Sequence, residues 1–149
     1  MAVLAGFANF GVIEALVVPG DADATVANIA ASETLFRVGV AALVVVVLLD
    51  LIVAAALRTL FAPVNAALST AAAWFRVAYS AVFLVAIAQL AFALTVLDRP
   101  DVVLFSTTAF ATTWDVALII FGAHLLLVGY LAYRSGFMPR VFGILLLIA

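Results

Sequence analysis

Three residues hold most of the chemistry this sequence could do away from water. They are Asp50, Arg76 and His124: an acid, a permanent cation and an imidazole, each set in an otherwise apolar run. Counted from the nearest turns, Asp50 and Arg76 each lie about 13 residues from Pro63, and His124 lies about 13 from Phe137. At about 1.5 Å per helical residue all three reach one level. An acid and an arginine at such a level either pair as a structural link or line a path for a proton or small solute. His124 beside Asp50 would be a proton-relay element, and its plainer use is an interhelical hydrogen bond. For Arg76, two residues past Trp74, snorkelling to lipid headgroups competes with pairing.

Two further sets follow from spacing. Glu14 and Arg37 lie about 12 and 11 residues either side of the first loop's centre, which makes them a candidate outer pair. Asp115, Gly122 and Gly129 recur at seven-residue intervals and share one helix face, a candidate packing surface. The absence of cysteine excludes a thiolate zinc site, a thiolate nucleophile and a disulfide, and one histidine without a second histidine or a nearby carboxylate on its own helix is a weak metal signal. Walker, HExxH and GxSxG patterns are missing. No catalytic residue, cofactor or metal is therefore assigned, and an enzyme is not expected.

The elements that must position these groups are long and oily. Of 149 residues, 70% are apolar and 9% charged, far from the balance of a water-soluble domain. The six cations are all arginine and are scattered, so neither a nucleic-acid face nor a polybasic lipid-binding cluster is present. Leu35 to Leu57 would rise roughly 33 Å as a helix, enough to cross a hydrocarbon core about 30 Å thick. Asp50 sits deep in that run, where a charge costs about 2.5–3.5 kcal/mol unless it is partnered or protonated. The expected fold is all-α, a polytopic transmembrane helical bundle of one domain over residues 1–149. It has four full spans, at about 1–18, 35–57, 67–97 and 110–133, plus the start of a fifth at 141–149 that suggests a truncated end.

Connections are legible too. Pro19 to Asp23 makes an acidic loop, Thr25 to Ala31 a short interfacial helix, and Ser32 an N-cap for the second span. Asp98 to Asp101 stops the third span, and the Ser/Thr-rich stretch after it reads as a loop or shallow segment. In Arg134 to Arg140, Gly136 suits the C′ position and Pro139 the start of the next helix. Trp74, Trp114, Tyr130 and Tyr133 read as interfacial anchors. Arg58, Arg134 and Arg140, with Arg76 close by, mark the turns after spans two and four as cytoplasmic, which places the N-terminus inside.

The run WDVALIIFGAHLLLVGYLAYRSGFMPRVFGILLLIA, from Trp114 to Ala149, carries Phe121, Gly122, His124 and Leu125, then Gly129, Tyr130, Leu131 and the Tyr133–Gly136 turn. With Pro19-Gly20-Asp21, Asn28-Ile29, Phe36-Arg37 and Asp50, it resembles the bacterial polytopic membrane family described as domain of unknown function 4386. The resemblance implies an integral inner-membrane protein and no particular activity. Two functional readings follow. In the first, the intramembrane polar residues are structural and the chain is a subunit or scaffold whose partner, beyond the lipid bilayer, is a second copy or another membrane protein. In the second, Asp50, Arg76 and His124 serve a proton-coupled small-solute transporter or channel-like carrier, with the ligand undefined.

Overall fold

The computed structural model describes residues 2–148. Among them the regular structure is entirely helical. A first helical stretch is assembled from α1 (Ala2–Gly6), a π-helical segment (Phe7–Ile13) and α2 (Glu14–Leu16). Then come α3 (Ala22–Ala31), α4 (Glu33–Phe61), α5 (Ala66–Ala93), α6 (Pro100–Arg134) and α7 (Arg140–Ile148).

Among the described residues, α4, α5 and α6 are the helices long and apolar enough to cross a membrane. With 29, 28 and 35 residues they measure about 43, 42 and 52 Å. The expectation of four full spans thus narrows to three helices of spanning length among the described residues. The first stretch is a shorter apolar helix, Val3–Leu16, and α7 has nine residues. Met1 and Ala149, the outer limits of the expected first and fifth spans, lie outside the described residues.

The largest departure from the sequence reading is at α6, which starts at Pro100 rather than near Phe110. Its Ser/Thr-rich stretch is helical because the hydroxyls find acceptors inside the helix. Ser106 donates to Val102 O at 2.8 Å, Thr108 to Leu104 O at 2.8 Å and Thr112 to Thr108 O at 3.0 Å. Pro100 suits a first helical position, where its missing N–H leaves nothing unpaired. Trp114 accordingly lies well inside α6, half-buried between Phe83 and Phe110 at 5.0 and 5.4 Å, and is not an end anchor. The third expected span is shorter than read, ending at Ala93.

The chain forms two compact units, Met1–Leu49 with Phe83–Trp114, and Asp50–Val82 with Asp115–Ala149. In the first unit, buried polar side chains organise the first loop. Thr25, 0% exposed, accepts from Val18 N at 2.9 Å and donates to Asp21 O at 2.8 Å. Asp21 caps α3 by accepting from Ala24 N, and Asn28 donates to Leu16 O at the end of α2. The wide π-helical turn brings Asn9 and Glu14, five residues apart, within 2.7 Å of each other. Gly39 of α4 lets Val12 approach, since a Cβ there would lie 2.8 Å from Val12 Cγ1.

The second unit is built around Phe61, Ala72, Val128, Leu131 and Ala132, with Leu57, Leu68 and Met138 packed against them. Asn65 caps α5 by accepting from Leu68 N at 3.0 Å. Gly136, at φ +71°, ends α6 in the left-handed conformation that only glycine adopts cheaply. The chain then returns as α7 so closely that a Cβ on Gly143 would stand 2.6 Å from Tyr133 N and 2.9 Å from Gly129 O. Gly122, by contrast, has nothing within 4 Å of where its Cβ would be.

These two glycines make a test of the packing. Gly143→Ala should lose about 1–3 kcal/mol through overpacking against backbone that cannot yield. Gly122→Ala should lose nothing. SDS titration of the detergent-solubilised protein, followed by circular dichroism, distinguishes the two; equal behaviour would count against the α6–α7 contact.

Candidate functional site

Asp50 on α4, Arg76 on α5 and His124 on α6 all belong to the second unit and meet there. Their exposures are 2%, 5% and 1%. Arg76 is the hub. Its Nε donates to Asp50 Oδ1 at 3.0 Å, its Nη2 forms an ion pair with the same oxygen, and its Nη1 lies 3.0 Å from His124 Nε2. Each of the three guanidinium nitrogens is thereby engaged.

Chemistry assigns the histidine. A guanidinium has donors and no acceptor, so His124 Nε2 must offer its lone pair to Arg76. The ring proton then sits on Nδ1, which donates to Ala72 O at 2.8 Å. His124 thus touches α5 twice, at a side chain and at a backbone carbonyl one turn earlier. With Asp50 ionised and His124 in this neutral form, the cluster carries no net charge. That balance is what a site so far from water requires.

Aromatic rings line the cluster. The Arg76 guanidinium lies 5.3 Å from the Phe121 ring centroid, at cation–π range. Phe121 stacks on His124 at 5.5 Å and meets Tyr79 at 4.8 Å. Phe121 precedes His124 by three residues and Tyr79 follows Arg76 by three, so each shares a helix face with its polar neighbour. That spacing was the available signal for two residues that a search for ionisable groups passes over. Ala72 could not have been found this way, because it contributes only its carbonyl.

The other expected groupings come out differently. Glu14 and Arg37 do not pair. Glu14 accepts from Asn9, while Arg37 bridges Glu33 at 2.7 Å, one turn back on its own helix. An i,i+4 partner is always within reach, whereas a partner on another helix depends on rotation as well as level. Of Asp115, Gly122 and Gly129, only Gly129 is buried, against Gly143; Asp115 is exposed on α6. Among the described residues no cluster of His, Cys, Asp or Glu is placed to hold a metal.

A family model described as a domain of unknown function, DUF4386, matches residues 1–149. The chain belongs to the DUF4386 family. A protein from the archaeon Archaeoglobus fulgidus, described as uncharacterized, is 36% identical over 104 residues. The match takes in 70% of this chain and 56% of that protein, so the chain spans little more than half of its relative's length. No solved structure matches.

The histidine assignment in this DUF4386 member is directly checkable. With [15N]histidine incorporated, the single His124 should show a protonated Nδ1 and an unprotonated Nε2 in detergent at neutral pH. Arg76→Gln, which removes the guanidinium, should abolish the fixed tautomer. A protonated Nε2 in the wild type would contradict the network.

Proposed function

We propose that this chain is a multi-pass integral protein of the cell membrane in which Asp50, Arg76 and His124 form a structural clamp joining α4, α5 and α6. On this reading it acts as a subunit or scaffold and has no catalytic activity of its own. The observation that carries the reading is the complete internal pairing of Arg76 at 5% exposure. A carrier would need these groups open to water in at least one state. Burial of all three favours a fixed link between helices.

The finer topology follows from charge. Arg58, Arg134 and Arg140 flank the turns after α4 and α6, so these turns face the cytoplasm. We read Val3–Leu16, about 21 Å long as a helix, as an additional short crossing of a bilayer thinned around it, which puts the N-terminus inside. The subunit reading gains support from Asp115, which is exposed 15 residues into α6. An acid facing outward at that depth calls for a polar group on a neighbouring protein, either a second copy or a different membrane protein.

Reconstitution into vesicles with a trapped pH-sensitive dye tests the clamp against the carrier. The wild type should hold an imposed pH gradient as long as protein-free vesicles do, and Asp50→Asn should lower the SDS unfolding midpoint without altering the leak. A wild-type leak abolished by Asp50→Asn at unchanged stability would overturn the proposal in favour of a proton-coupled carrier.

A further inference from the structure

The second unit carries a feature that the clamp does not use: a groove of about 360 Å³ on its surface, running between α4 and α5. Apolar side chains line most of it, the small Ala54, Ala55 and Ala73 together with the larger Leu51 and Val77. At the end nearest the 62–65 turn stand Arg58, Thr70 and Trp74. We propose that this groove is a binding site for one anionic phospholipid, with the phosphate held at Arg58 and Thr70 and an acyl chain lying along the alanines. The proposal rests on the membrane placement given above.

Charge is the first argument. Arg58 is exposed in the last turn of α4, and among the described residues no carboxylate lies within ion-pair distance of it. Its Nε donates to Thr70 Oγ1 at 3.3 Å, which fixes the guanidinium plane and leaves both terminal nitrogens to face an outside anion. The backbone beneath is held as well, because Ser69 donates to Arg58 O at 2.7 Å. Thr70 Oγ1 accepts from Arg58 and keeps its own proton to donate. A phosphate oxygen pair matches that set of donors.

Shape is the second. Trp74 is 68% exposed and lies one turn further from the 62–65 loop than Thr70. An indole at that level meets the glycerol and carbonyl region of a lipid whose phosphate sits at Arg58. Below it the small side chains leave a trough rather than a ridge, and a free phosphate would have no use for an apolar trough. A lipid with a charged head and an apolar chain satisfies both ends of the groove.

The test uses tryptophan quenching. Trp114→Phe keeps the ring between Phe83 and Phe110 and leaves Trp74 as the single tryptophan. In mixed bilayers of phosphatidylcholine and phosphatidylglycerol, with one or the other brominated on its acyl chains in paired samples, Trp74 should be quenched with about a fivefold preference for the anionic lipid, the size of one arginine–headgroup attraction. Arg58→Gln should remove the preference and Arg58→Lys should keep much of it. Native mass spectrometry of wild type and Arg58→Gln gives the same comparison without the tryptophan variant: phosphatidylglycerol should stay bound to the first and leave the second.

Quenching by both lipids equally, unchanged by Arg58→Gln, would overturn the site while leaving the membrane placement standing. A dimer that shields Trp74 from every lipid would overturn it in favour of a second copy in the groove. Quenching by neither lipid in a monomer would contradict the membrane placement itself.

Discussion

A guanidinium among apolar helices cannot give up its charge, and the polar contacts gathered around Arg76 in the second unit answer that constraint. Arg76 lies on α5, and its side-chain acceptors come from the two other long helices. α4 supplies a carboxylate and α6 an imidazole, which ties three helices to one side chain. The geometry also fixes rotation and level. Turning α6 by a single residue would carry His124 about 100° around the axis and away from Arg76.

Such a cluster need not add to net stability. Replacing a buried ion pair with well-packed apolar residues is often neutral or better, whereas removing one member strands its partner. On the proposed reading, the value of the Asp50–Arg76–His124 arrangement lies in selecting one register from many. Apolar helices rich in Ala and Val offer several packings of similar energy, and a guanidinium that accepts only one of them settles the choice. Packing elsewhere in the unit agrees with that register, as the close passage of Gly143 past Tyr133 illustrates.

How much of this was legible in the sequence depends on how far each inference had to reach. Counting residues from a turn fixes depth, and depth alone brought Asp50, Arg76 and His124 to one level, where the structure places them in contact. The same counting failed for Glu14 and Arg37, because level says nothing of rotation and a nearer acid, Glu33, competed for Arg37. The start of α6 at Pro100 departs from the sequence expectation because serine and threonine favour loops in water. Next to apolar surroundings their hydroxyls bond back to the helix they belong to. Seven-residue spacing grouped Asp115 with Gly122 and Gly129, yet a face is not a contact: the close neighbour of Gly129 is Gly143, which no periodicity within α6 could indicate. Backbone acceptors such as Ala72 O leave no trace in side-chain patterns at all.

The most direct measurement of the account is a double-mutant cycle on Asp50 and Arg76, read as SDS-unfolding free energies of Asp50→Asn, Arg76→Gln and the two combined. A buried pair predicts that each single change costs about 3–5 kcal/mol and that the double variant costs much less than their sum, since it strands no charge. Strictly additive, small effects would mean that Asp50 and Arg76 do not share a dry contact, and the clamp would have to be abandoned.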